Sequence, residues 1–223
     1  MLRVRRLGTV PYEEAYALQR ALSERARDDY LLVLEHPHVF TLGVRADPAH
    51  VLGDPRALGA DLVRTDRGGD VTYHGPGQLV VYPIVTVADR LSSGRDHVHR
   101  LEQVVIDALG SLGVDGVGRL AGYPGIWLDP HGQHPAKVAA IGVRTWRVSG
   151  GRRRTLHGVA LNVDCDLAMF GHIVPCGISD RPVTSLAASG HSVPIDAVAD
   201  AIVERAVAEW SATHDADERA VMA

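Results

Sequence analysis

The sequence predicts an α+β fold, a mixed β-sheet sandwich flanked by helices. Three segments repeat apolar residues at helical spacing, and seven short apolar runs read as strands. Strands and helices do not alternate one for one as in a doubly wound parallel sheet, and the last two runs meet at a hairpin turn, residues 148–151. In chain order, residues 2–7 form the first strand. Residues 11–28 form a helix with Ala15, Leu18 and Leu22 inward, Glu13, Glu14, Arg20 and Glu24 outward, and Pro11 in the first turn. Strands follow at 30–35, 39–42 and 79–85. A second helix, 96–112, carries Val98, Leu101, Val105, Ala108 and Leu112 between Asp96 as its cap and Gly113 as its stop. Strands at 125–128, 137–146 and 154–165 precede a short helical stretch at 166–170. A third helix, 194–210, lines up Ile195, Val198, Ile202 and Ala206. No repeat or linker divides the chain, so residues 1–211 are expected to be one domain, with the polar residues 212–223 a frayed tail.

Composition narrows the function classes. The 223 residues are 46% hydrophobic and 22% charged, enough for a substantial core. The longest apolar runs, 79–85 and 138–143, fall far short of the roughly 18 residues of a membrane helix. The start, MLRVRRLGTVPYEE, has no apolar stretch after its arginines, so a signal peptide is not expected and the location reads as cytoplasmic. Two cysteines without a CxxC pair exclude a disulfide framework and a cysteine-rich zinc site. A net charge of -4 argues against nucleic acid as a partner. Of 23 basic residues only Lys137 is lysine, and lysine is the one cation able to lose its proton when buried and act as a base.

Three segments concentrate chemistry. The first runs from Arg67 through Gly68, Gly69, Asp70, Val71, Thr72, Tyr73 and His74 to Gln78, four glycines in twelve residues among donors and one titratable ring, and reads as a binding loop. It completes neither GxxxxGK[ST] nor GxGxxG. The second contains Cys176, between Pro175 and Gly177, where a sulfur is exposed and neighbouring amides can face an oxyanion. Cys165 instead continues the alternation Val159, Leu161, Val163, and Asp164 and Asp166 disfavour its thiolate, so it reads as core. The third is the strand opened by Lys137, whose small residues Ala139, Ala140 and Gly142, beside Gly158 and Ala160 of the next strand, leave a narrow apolar groove suited to an alkyl chain.

The stretches RGGDVTYHGPGQLVVYPI, KVAAIGVR, HGVALNVDCDLAMF and IVPCGISDRPVTSL resemble, in order and spacing, the lipoyl(octanoyl) transferases, over residues 7–186. The resemblance implies the fold of the lipoate and biotin protein ligase catalytic domains, and a single catalytic acyltransferase domain. It implies transfer of octanoyl from octanoyl-acyl carrier protein to a lysine of lipoyl domains, those of 2-oxoacid dehydrogenases and the glycine cleavage H protein. It matches Cys176 to the acyl-thioester cysteine and Lys137 to its partner. It matches residues 67–74, Ala140, Ile141 and Gly142, and Gly158, Val159 and Ala160, to the substrate-binding stretches. No metal and no cofactor is called for. The connection 147–155 departs from the pattern by its length and carries Arg152, Arg153 and Arg154, the densest basic run, expected at a hairpin tip where it would steer an acidic carrier.

The chemistry suits these groups. A thioester carbonyl is readily attacked by another thiolate, so passage through Cys176 splits carrier-to-carrier transfer into two steps. The acceptor lysine must then lose a proton at pH 7, which costs roughly 4.6 kcal/mol from a starting pKa of about 10.4. Lys137, having given its proton to the departing thiol, can take that one; His74 is the second candidate base. The competing readings are an ATP-dependent lipoate or biotin ligase, a metal hydrolase built on His36, His38, His131 and His134, and a non-catalytic binding module. The histidine pairs fall in Pro/Gly turns without helical ligand spacing and read as surface loops.

Overall fold

The computed structural model describes residues 1–87, 93–148, 151–174 and 181–221, with 212–221 described by backbone alone. Cys176, and Ser149 and Gly150 of the expected hairpin turn, lie outside the described residues. The elements are β1 (Leu2–Thr9), α1 (Tyr12–Arg25), β2 (Asp29–Glu35), β3 (Val39–Leu42), β4 (Asp61–Arg64), β5 (Val71–His74), β6 (Gln78–Ile84), β7 (Thr86–Val87), α2 (Ser93–Ser111), β8 (Val117–Leu120), β9 (Tyr123–Leu128), β10 (Ala136–Arg147), β11 (Arg153–Asn162) and α3 (Ile195–Val221). Among the described residues a large sheet runs β1-β2-β6-β11-β10-β9-β8, with β7 paired to β11, and a small sheet runs β4-β3-β5. β1 pairs parallel with β2 and β3 with β4, and the other pairings are antiparallel. The α+β class and mixed sheets are those the sequence predicts.

Both faces of the large sheet are covered, which is why β2 and β6 read as unbroken apolar runs rather than alternating ones. Leu31, Val33, Leu79, Val81, Val159 and Leu161 face the α2 and α3 side with Leu101, Val105 and Ile202. Tyr30, Leu32, Val80, Tyr82 and Ala160 face α1 through Ala15 and Leu22. A third cluster, with Phe40, Tyr73, Cys165 and Phe170, belongs to the small sheet. No helix among the described residues is long and apolar enough to cross a membrane.

Several local readings change. The segment 67–78 is not one loop, because Val71–His74 is a strand paired with β3. Its alternation is hidden by the flanking glycines. β4 is a polar edge strand and β8 contains a glycine, so neither shows an apolar run. α2 starts at Ser93 and puts Asp96 in its first turn instead of at its cap. β11 stops at Asn162, since Val163 and Asp164 donate their amides to the Gly77 carbonyl. Cys165 is buried as expected but packs with the small sheet, and burial, aided by Asp166 and Asp164, pushes its thiol up to about 12. α3 continues as helix to Val221, beyond the point where the sequence reading expects fraying. His36 is not on a surface loop: it is fully buried, with Nδ1 against the Val10 carbonyl and Nε2 against the Tyr82 hydroxyl, and burial brings its pKa down to about 4. His131 and His134 are exposed as expected.

The largest correction concerns the basic run. Arg152 is exposed and Arg153 half-buried, but Arg154 is 0% exposed. Its guanidinium donates to the carbonyls of Leu22, which also accepts the Ala26 amide, and of Ala26, the residue that ends α1, and to those of Asp28 and Ile84. It also pairs with the buried Asp29 carboxylate at 2.8 Å. Arg154 therefore caps a helix and ties α1 to β2 and β6, and takes no part in steering.

Two outcomes follow in chemical denaturation. Arg154→Met removes a buried guanidinium that pairs with Asp29 and bonds four carbonyls, and is expected to lose about 3–5 kcal/mol, whereas Arg152→Ser stays within about 0.5 kcal/mol; equal effects would contradict the assignment. His97, at the contact of α2 with Trp210 of α3, is buried with both ring nitrogens unpartnered, and burial lowers its pKa to about 3. The unfolded chain takes up a proton at this ring near 6.5 and the folded chain does not until about 3, so stability is lost as pH falls through that window. His97→Phe removes the loss, and at pH 5 its gain over the parent should exceed its gain at pH 7 by about 2 kcal/mol. The same difference at both pH values would show that His97 does not titrate this way.

Candidate active site

The register of β10 on β11 sets Ala140 opposite Ala160 and Gly142 opposite Gly158. Side chains alternate across a sheet, so these four small residues share the α1 face while Ile141 and Val159 turn toward the α2 side. The loop at Arg67, Gly68 and Gly69 crosses directly over them. The Gly68 amide donates to the Val143 carbonyl at 3.2 Å, and a Cβ on Gly142 would lie 2.7 Å from the Gly68 oxygen. Only glycine permits this approach. A narrow slot of about 40 Å³ remains between the two sheets, bordered also by Ile141, Val159, Thr72 and His74, and by three residues the sequence reading does not select, Tyr12, Tyr82 and His157.

A continuous chain of hydrogen bonds surrounds the slot. Arg67, 6% exposed, donates Nε to the Thr41 hydroxyl at 2.9 Å and Nη2 to the Thr41 carbonyl. The Thr41 hydroxyl faces Nε2 of His74 at 3.5 Å, and Nδ1 of His74 donates to Gln78 Oε1 at 2.7 Å. The Gln78 amide donates to Tyr73 O and to Asn162 Oδ1, and Asn162 Nδ2 donates to the Thr184 carbonyl at 2.9 Å. The Thr184 amide in turn donates to the carbonyl of Lys137. Burial holds His74 well below the ordinary histidine pKa, with His36 and Arg67 adding to the shift. It is neutral at pH 7 and occupied as a structural link, which removes the ground for treating it as the base.

On the other flank His157 takes a positive φ of 60°, with its amide donating to Gln19 Oε1. Its Nε2 donates to Asp66 at 2.8 Å and its Nδ1 lies 3.4 Å from the Tyr12 hydroxyl. Burial lowers the His157 pKa, and the His157 hydrogen bond, followed by that from Tyr16, holds the Asp66 carboxyl below the usual range.

Beside the slot lies a larger groove of about 820 Å³, the two sharing Gly68, Gly69, Ala140, Ile141 and Gly142. Such a volume falls within the range of ligand sites. Lys137 lines the groove, 9% exposed, with Nζ 4.9 Å from the centre of the Trp127 ring. Gly125 lies against its stem, and a Cβ there would sit 2.6 Å from the Ala139 carbonyl. The Gly125 amide is held by Glu102, which is buried on α2 for that purpose and also binds Arg119. Lys137 donates its amide to the Pro182 carbonyl and pairs with Val183, so its backbone is tied to the chain six residues beyond Cys176. Val174, on the preceding side, donates its amide to the His50 carbonyl.

Not every residue of the sequence-selected stretches faces these cavities. Asp70 lines the groove, with its carboxylate on His50 Nδ1 and the Val71 amide. Val71 and Tyr73 alternate with Thr72 and His74 and point into the small-sheet core, where the Tyr73 hydroxyl meets His38 Nδ1 at 2.7 Å. The missed residues left faint signals: Tyr82 is the polar interruption of LVVYPIV, and His157 directly precedes the small residues Gly158 and Ala160.

Gly142→Ala would press a methyl on the Gly68 carbonyl, and is expected to cost about 1–3 kcal/mol and to displace the loop from the slot. Ala139→Gly, on the other face of the same strand, tests the stability effect alone. Binding of an alkyl probe lost in Gly142→Ala and kept in Ala139→Gly is the expected pattern, and equal retention would contradict it.

The lipoyl protein ligase A/B catalytic domain family matches residues 11–207. An octanoyltransferase of Mycobacterium sp. (strain KMS) is 47% identical, covering 91% of this chain and 82% of that one. That of Mycobacterium bovis (strain BCG / Pasteur 1173P2) is 49% identical over 87% and 81%. In fold, the chain is similar to lipoate-protein ligase A bound with ATP (TM-score 0.73, 19% identity, 94% of this chain and 85% of that one). It is also similar to a bi-partite lipoate protein ligase from Thermoplasma acidophilum (TM-score 0.69, 16% identity, 94% and 83%). At these identities the structural likeness concerns the fold alone, but the match across most of the sequence places the chain in the lipoyl protein ligase A/B catalytic domain family.

Proposed function

We propose that the chain transfers an octanoyl group from octanoyl-acyl carrier protein to a lysine of lipoyl domains, in the cytoplasm, through a thioester on Cys176, with residues 1–211 as one catalytic unit. Its standing as an octanoyltransferase rests on relatives of that name at 47–49% identity along most of the chain. The observation that carries the mechanism is that a slot floored by small residues shares five of its lining residues with the groove lined by the chain's sole lysine. By the rough measure of 10–15 Å³ per water, the 40 Å³ slot has space for about three waters, less than eight carbons need. The acyl chain would therefore continue along Ala140 and Gly142 into the groove, with its carbonyl toward Lys137.

In the first half-reaction the Cys176 thiolate attacks the donor thioester, a new C–S bond forms and the carrier sulfur leaves, taking a proton from the Lys137 ammonium. In the second, neutral Lys137 removes a proton from the acceptor ammonium, the free amine attacks the Cys176 thioester, and the amide nitrogen releases its extra proton to solvent as the thiolate departs. The enzyme returns to its starting charge. A ligase reading is supported by the fold and by the family description, whereas the relatives matched at 47–49% identity are octanoyltransferases.

With octanoyl-acyl carrier protein as sole substrate, intact-mass analysis should find one octanoyl adduct on the parent and on Cys165→Ser, and none on Cys176→Ala. Lys137→Arg keeps the charge but cannot give up its proton, so transfer to the lipoyl domain should fall at least about a hundredfold. An adduct on Cys176→Ala, or near-parent turnover of Lys137→Arg, would overturn the corresponding role.

A further inference from the structure

The groove carries a charge opposite to that of the molecule. Among the described residues lining it, Lys137, Arg45, Arg95 and Arg144 face two carboxylates, Asp66 and Asp70, while the chain as a whole has a net charge of -4. Both carboxylates are already engaged, Asp66 by His157 and Tyr16 and Asp70 by His50 and the Val71 amide. Arg144 reaches Asp66 only at 3.9 Å. Arg45 and Arg95 are exposed and pair with no carboxylate among the described residues. The three arginines come from separate parts of the fold, Arg45 after β3, Arg95 in the first turn of α2 and Arg144 on β10, yet line one cavity.

We propose that Arg45 and Arg95, with Arg144, seat the phosphate of the flexible arm on which an acyl carrier presents its thioester. The inference rests on the donor proposed above and adds where that donor is gripped. An acyl carrier holds its acyl group at the end of a phosphopantetheine arm, so the phosphate enters the groove with the thioester, whereas carboxylates on the carrier's own surface stay outside. Guanidinium groups match phosphate oxygens in pairs, and no other anion need accompany the acyl chain to Lys137. Of the run Arg152, Arg153 and Arg154, burial takes Arg154 out of this task, and none of the three lines the groove.

The test compares S-octanoyl-4′-phosphopantetheine with S-octanoylpantetheine, which lacks only the phosphate, as donors to a lipoyl domain. The parent enzyme should prefer the phosphorylated donor in kcat/KM by roughly five- to tenfold at low salt, and the preference should shrink as screening increases. In Arg45→Gln/Arg95→Gln, which alters two exposed side chains, the ratio should fall to near one. No preference in the parent, or a preference unchanged in the double variant, overturns the assignment. A double variant slow only with the complete octanoyl-carrier protein, its small-donor ratio intact, moves the contact to the carrier's surface and overturns it too. Absence of product from every donor, the complete carrier included, would sink the proposed function along with this inference.

Discussion

The buried hydrogen-bond chain from Arg67 through Thr41, His74, Gln78 and Asn162 to Thr184 is the constraint on which the site depends. It joins residues far apart in sequence and spans both sheets. Every link but the last, from Asn162 to Thr184, is buried, so removing one group there leaves its neighbours unsatisfied, at about 1–3 kcal/mol each. One end fixes the loop over the small-residue floor, and the other fixes the segment that holds the Lys137 backbone. The slot and the lysine are thus set by one rigid network.

The same logic explains why so many polar residues lie around an apolar slot. His36, His74 and His157 are kept neutral by burial, and each has partners, so the wall carries little charge that an alkyl chain would have to desolvate. Apart from the buried Arg67, whose guanidinium is held on Thr41 beside the slot, charge lies along the groove, which Arg45, Arg95, Arg144 and Lys137 line. An apolar chain and an anionic head would be separated along one path, the first between the sheets and the second at the mouth.

The fold class was legible because β2, β6, α1 and α2 carry long periodic patterns. What remained hidden depended on tertiary partners. β5 is a strand only because β3 supplies its pairing, and nothing in RGGDVTYHGPGQ marks which residues face inward. Arg154 looks like one of three equivalent arginines until the carbonyls at the end of α1 and the Asp29 carboxylate are brought to it. His36 reads as a turn residue because its partners, Val10 and Tyr82, are remote in sequence. The stretch at 140–142 and 158–160 was readable as a groove because runs of small residues on paired strands have no other way to fill space. Lys137 was conspicuous as the only lysine, but its seat between Trp127 and Gly125 required the structure.

The proposed function calls for direct transfer between two protein-bound groups and for no activation of a free acid. The most direct measurement combines the protein, octanoyl-acyl carrier protein and a lipoyl domain in nucleotide-free buffer, and follows the masses of all three. The account predicts that the lipoyl domain gains one octanoyl group as the carrier loses one. A lipoyl domain left unmodified until ATP and free octanoate are supplied would contradict it.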